Sequence, residues 1–135
     1  MNKRKFYPLY YAGAKQRFAR AVVVGDLIFL SGSSGRTLET GEVSSSDIKE
    51  QTRVAVEKIR LALEEVGSSL ENIVKLTMYL RDMRHYDAVY GAMYDYLSKY
   101  APRLINEPPA ITVVQVVSLS KPDMLVEIDA IAVKP

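Results

Sequence analysis

The chain has 135 residues, eighteen basic and sixteen acidic side chains, no cysteine and a formal charge of +2. That length fits one domain spanning 1–135, which buries about two thirds of its unfolded surface and needs no metal or disulfide staple. Without cysteine there are no disulfides, thiolate metal sites or cysteine nucleophiles. The near-balanced charge gives no electrostatic reason to expect a nucleic-acid partner. No apolar leader-like segment and no run of ~18 apolar residues is present, so neither export nor a membrane is expected. The cysteine-free composition also fits a reducing, cytoplasmic setting.

Taken from the start, Lys3-Arg4-Lys5 reads as a solvated basic end. Ala21–Val24 and Leu27–Leu30 are β-favouring runs split by Gly25-Asp26, the pattern of a tight hairpin. Ser31-Gly-Ser-Ser-Gly35 closes the second run, either as a plain turn or as a ligand-lining loop. Residues 37–46 read as a polar loop. Asp47 to Val66 is the clearest helix: Ile48, Thr52, Ala55, Ile59, Ala62 and Val66 recur every three or four residues. Ser46 is its expected N-cap and Gly67 its C-terminal stop. Residues 70–73 can add a helical turn, and Val74–Leu80 alternates as a strand does. A second helix is expected from Arg84 to Tyr100, with Tyr86, Val89, Tyr90, Met93, Tyr96, Leu97 and Tyr100 on its broad apolar face. The Pro-rich connector 101–109 follows. Two apolar strands joined by a polar turn, through Val117 and from Met124 to Val133, end the chain.

This order predicts an α+β fold: a mixed sheet of four or five strands with both helices on one face. The last strands are apolar on both sides, however, and two helices cover only one. Self-association through the bare face resolves the mismatch. Glu127 and Asp129 alternate with apolar residues, so they share one strand face, roughly 6–7 Å apart. Carboxylates in so apolar a strand are costly unless paired, hydrated or used. Pairing with Lys75 or Lys121 would be the structural explanation; acid/base chemistry at an interface would be the functional one. The single histidine, His85, lies at a helix start and cannot by itself supply a two-histidine ribonuclease mechanism. No phosphate-loop, dinucleotide or HExxH motif occurs.

Several segments, none specific alone, together resemble the Rid/YjgF family of small imine- and enamine-handling proteins. They are Arg20-Ala-Val-Val-Val-Gly-Asp-Leu-Ile-Phe-Leu-Ser-Gly32, Thr40-Gly-Glu-Val43, Gln51-Thr-Arg53 and the 61–67 helix end. Glu71-Asn-Ile-Val-Lys75, Met78–Asp82, Pro109-Ala110 and Val126–Ala132 complete the set. The resemblance spans residues 17–133. It implies a chorismate-mutase-like fold, a homotrimer with a central barrel, and small-molecule clefts between subunits. It also implies hydrolysis of reactive imino acids to keto acids and ammonia, with no cofactor and no metal.

The site residues carry over unevenly. Ser31 keeps the serine that ends the hairpin strand. Glu127 keeps the late-strand glutamate, allowing one inserted residue near Pro122, and is the expected catalytic group. The family's carboxylate-binding arginine falls at Ile111, its cysteine at Val113, its tyrosine at Phe18 and its helix asparagine at Tyr90. A charge-assisted contact of the lost kind is worth about 1.5–3 kcal/mol, so either another cation anchors the ligand, Arg20 first and Arg103 second, or the ligand is not a simple carboxylate. Three readings follow: a cofactor-free deaminase with altered substrate choice, a non-catalytic ligand-binding or chaperone-like trimer, and a ribonuclease. The charge and the single histidine weigh against the last.

Overall fold

A computed structural model describes residues 3–135; Met1 and Asn2, the first two residues of the expected 1–135 domain, lie outside the described residues. The chain runs β1 (Arg4–Tyr11), β2 (Ala14–Val24), β3 (Leu27–Ser34), α1 (Ile48–Glu65) and β4 (Ile73–Leu80). It continues as α2 (Tyr86–Tyr100), a short α3 (Arg103–Asn106), β5 (Ala110–Gln115) and β6 (Val126–Val133). One sheet contains all six strands in the order β1-β2-β3-β6-β4-β5. It is mixed: β5 runs parallel to β4, and the other pairs are antiparallel.

The β2–β3 hairpin pairs Val24 with Leu27 and Ala21 with Leu30 around Gly25, whose φ of 59° needs no Cβ clearance. The strand β1 was not anticipated from sequence. It joins β2 through Ala12 and Gly13, both with positive φ (50° and 78°), so the two-residue turn lacks the Asn-Gly or Asp-Gly signature. Pro8 interrupts its ladder, which an edge strand tolerates. The basic start is thus partly strand.

Helix α1 buries the expected stripe: Thr52, Ala55, Ile59 and Ala62 are all inaccessible. Its cap is Asp47 rather than Ser46; the Asp47 carboxylate accepts from the Lys49 amide. Gly67 (φ 84°) stops the helix as expected. In α2, Val89, Met93, Tyr96 and Leu97 are buried, whereas Tyr86 and Tyr100 at the ends of the expected face are exposed. His85 belongs to a short 3₁₀ turn, Met83–His85, before the helix.

The C-terminal strands are not neighbours joined by a turn. β4 lies between them, because β5 pairs in parallel with β4 after the α2–α3 crossover. β5 also ends at Gln115, and Val117, expected in the strand, is 99% exposed. Along β6, Val126, Ile128, Ala130 and Ala132 are buried toward the helices. Glu127, Asp129, Ile131 and Val133 face the other way and are only half-buried. That other face also carries Leu27 and Phe29, both exposed, so one side of the sheet has no helical cover.

Candidate functional site

Glu127 stands where the β3–β6 ladder breaks. Leu30 pairs with Ala130 and Ser33 with Ile128, so Ser31 and Gly32 oppose the single residue Asp129. This two-against-one count is a β-bulge, a device that re-aims side chains. Gly32 is required there. A Cβ on it would lie 2.6 Å from Glu127 Oε1 and 2.7 Å from its Cδ, so the glutamate side chain occupies the space a side chain at 32 would need. Past the bulge, Ser33 is buried and its hydroxyl donates to the Ala55 carbonyl at 2.8 Å, pinning β3 to α1.

Burial pushes the Glu127 carboxyl above the usual glutamate range. The Lys58 and Arg36 charges oppose that rise, and Asp129 adds to it. Asp129 itself accepts from the Tyr79 hydroxyl at 3.0 Å. Neither acid takes the lysine partners considered from sequence: Lys75 donates to Thr112 and Lys121 pairs with Glu42.

Beside the bulge, toward α1, is a hollow of about 30 Å³ between Leu9, Leu30 and Ile59 on its apolar side and Tyr11, Ser31 and Lys58 on its polar side. That is room for a water or two. The Lys58 Nζ donates to the Tyr11 hydroxyl at 2.9 Å. Only 8% of Lys58 is accessible, and this burial brings its amine down to about 7; Arg36 and Arg20 push the same way, and Glu127 resists. Burial likewise raises the Tyr11 phenol, which keeps its proton. The Arg36 guanidinium covers the Tyr11 ring at 4.0 Å while its Nε donates to the Gly41 carbonyl at 2.8 Å.

Of the residues singled out from sequence, the fold gathers three around the bulge. Ser31 is in it, Glu127 lies over it, and Arg20 lines the hollow. Arg20 is itself the extra residue of a β1–β2 bulge, between Ala19 and Ala21, and its Nη1 donates to Glu65 at 2.7 Å. The other five lie elsewhere in the chain. Ile111 pairs with Leu76 and Val113 with Met78, which puts both on the helix-covered face, opposite to Glu127. Phe18 is exposed on the part of β2 that runs past its pairing with β3. Tyr90 packs in a row between Tyr86 and Tyr94 on α2, with ring centroids 4.9 and 5.7 Å away. Arg103 donates to the Glu71 carbonyl at the Ile73 end of β4, whereas Glu127 faces Tyr79 at the other end.

This bulged hairpin, the covering helices and the late glutamate can be set against known proteins. The family model described as Endoribonuclease L-PSP matches residues 11–134. The chain belongs to the Rid/YjgF family. A RutC family protein of Pyrococcus abyssi is 38% identical over 117 residues, covering 87% of this chain and 86% of its own. The Escherichia coli protein named "Putative reactive intermediate deaminase TdcF" is 27% identical over 122 residues, 90% of each chain. The crystal structure of E. coli TdcF with bound serine superposes with a TM-score of 0.81 at 25% identity, covering 94% of both chains. The fold is accordingly the chorismate-mutase-like α+β fold of the Rid/YjgF proteins.

Three residues of this Rid/YjgF chain, Lys58, Tyr11 and Arg36, are at the site without having been singled out from sequence. Lys58 did leave a signal. It is three residues after Ala55 and four before Ala62, so it falls on the buried stripe of α1, where a lysine is out of place. Tyr11 and Arg36 had none, since they meet only through tertiary packing. No helix among the described residues is long and apolar enough to cross a membrane.

Proposed function

We propose that this Rid/YjgF protein is a hydrolytic deaminase of reactive imine or enamine metabolites. It acts without a cofactor, as a homotrimer whose clefts lie between subunits. The observation that carries the reading is Glu127. Its carboxyl rests against the Gly32 backbone at a bulge, and burial holds its proton affinity above that of an ordinary glutamate. A base whose affinity is moved toward neutrality suits proton transfer at cellular pH. As water attacks the C=N carbon, the Glu127 carboxylate takes its proton. From a protonated imine this gives a neutral carbinolamine; Glu127 returns the proton to its nitrogen, the C–N bond breaks as the hydroxyl proton passes to solvent, and ammonia and a carbonyl compound remain.

Ser31 orients the ligand beside Glu127, with Arg20 at the same bulge. Phe18, Tyr90, Ile111, Val113 and Arg103 do not meet Glu127 within one chain, so any contact they make with a ligand there comes from a neighbouring subunit. The exposed Leu27 and Phe29 on the uncovered sheet face support such an assembly. Ile111 in place of an arginine favours substrates less dependent on a carboxylate anchor. Imino acids generated in situ should release ammonia faster with the protein, and Glu127→Gln should lower that rate about 10²–10⁴-fold. A Glu127→Gln rate equal to wild type removes the mechanism.

A second reading, a non-catalytic ligand-binding trimer, has one observation in its favour. The hollow beside the bulge, about 30 Å³ in the isolated chain, is far smaller than the roughly 300–1,000 Å³ of a usual ligand pocket. Ligand-induced shifts in thermal unfolding without any ammonia release would select it.

A further inference from the structure

Lys58 has no part in the chemistry above, yet it is the one lysine the fold places inside the protein. Long charged side chains are almost never fully buried without an ionic partner. Among the described residues Lys58 has no carboxylate within ion-pairing distance, and its hydrogen bond goes to a neutral phenol, Tyr11. Arg36 and Arg20 act on it with like charge. Its amine borders the hollow, whose rim includes the half-buried Ser31 and Arg20. An amine desolvated among apolar groups and beside other cations is the setting in which lysine becomes a nucleophile toward carbonyl carbon.

We infer that Lys58 is a covalent site that condenses with small 2-oxo acids, and with their imines, to form a Schiff base at the mouth of the hollow beside Ser31. The ligand class follows from the surroundings. The hollow accepts only a short substituent beside Leu9, Leu30 and Ile59, and Arg20 on its lining, held by the exposed Glu65, supplies the positive charge for a carboxylate. In the condensation, the Nζ lone pair attacks the carbonyl carbon and the C=O π bond breaks. Protons shift from nitrogen to oxygen, water leaves, and a C=N bond to Lys58 remains. Tyr11, which keeps its proton and touches Nζ, is placed to protonate the departing oxygen. With an imine in place of the carbonyl, the same attack expels ammonia instead of water. Hydrolysis of the Lys58 adduct then returns the free amine and the 2-oxo acid. The net reaction is imine plus water giving carbonyl plus ammonia. The imine branch rests on the deaminase reading; the carbonyl branch does not.

The test is reductive trapping on the full-length protein. Glyoxylate, pyruvate or uncharged acetaldehyde is incubated with the protein at pH 8 and sodium cyanoborohydride, and the digested product is mapped by mass spectrometry. With an amine near 7, Lys58 is mostly neutral at that pH, whereas an ordinary lysine is under about 1% neutral. Trapping at Lys58 should therefore exceed that at any other lysine by about tenfold or more, with the 2-oxo acids ahead of acetaldehyde. Tyr11→Phe should slow it while leaving the site unchanged. In Lys58→Arg, or Lys58→Met if the arginine variant misfolds, the dominant adduct should vanish. Labelling spread evenly over the surface lysines of wild type overturns the inference. Ammonia release without a Lys58 adduct overturns it while sparing the deaminase reading. A Lys58 adduct without ammonia release upholds the carbonyl site and removes that reading.

Discussion

Gly32 and Glu127 depend on each other at a distance that leaves no room for a methyl group. An alanine at 32 would put its Cβ 2.6–2.9 Å from three atoms of the glutamate side chain, which must swing away. Gly32→Ala should therefore keep the fold, at a cost of about 1–3 kcal/mol for the overpacking. It should lower kcat/KM for imine hydrolysis by at least about tenfold, read by ammonia release alongside a denaturation curve. Because burial raises the carboxyl, the acidic limb of the kcat/KM profile should lie above the ordinary glutamate value and disappear in Glu127→Gln. Lys58 gives the opposite linkage. Its folded value, about 7, is below the unfolded value near 10.5, so across that interval the unfolded chain binds the extra proton and stability rises with pH. Urea midpoints measured from about pH 7 to 9 should climb in wild type and flatten in Lys58→Met. At this scale the sequence revealed only part of the site. Glu127 and Ser31 stand out as an acid in an apolar strand and a serine at a strand end. Arg20 was named for its place on the hairpin, but the bulge that turns it toward Glu65 leaves no local pattern.

Among the elements, α1 is the one to which the site is tied. Gln51, fully buried, donates through Nε2 to the Ser45 and Asp123 carbonyls at 2.8 and 2.9 Å, and its Oε1 accepts from the Leu125 amide at 2.9 Å. One side chain thus fixes the start of the helix and the chain just before β6, two residues from Glu127. Gln51→Ala strands three backbone groups and should cost about 2–4 kcal/mol, checked by chemical unfolding. Gln51→Glu should be no better, because a carboxylate cannot donate to two carbonyls. Helices were the legible elements here, since a stripe every three or four residues survives any tertiary arrangement. β1 was hidden by Pro8 and by an Ala12-Gly13 turn that lacks the usual residues. The separation of β5 from β6 was hidden too, because insertion of β4 between them is a fact of topology with no local signature.

For the whole molecule, the main question is what covers the second sheet face. Leu27 and Phe29 are 44% and 40% exposed there, and β6 adds Ile131 and Val133. The excess apolarity visible in the sequence is thus assigned to one face, as alternation on β6 requires. In the proposed trimer this face becomes intersubunit surface. Sedimentation should give about three times the 15.1 kDa chain mass, and Phe29→Glu should shift it toward a single chain. In the proposed intersubunit cleft, loss of assembly should also abolish turnover, because Ile111 and Val113 lie on the sheet face opposite to Glu127 and would join it only from a neighbouring subunit. The central claim, a hydrolytic deaminase acting through Glu127, is tested most directly by ammonia release from freshly generated imino acids with repurified wild type and Glu127→Gln. The account predicts acceleration by wild type and a loss of about 10²–10⁴-fold in the variant. Equal rates for wild type, Glu127→Gln and buffer would contradict it.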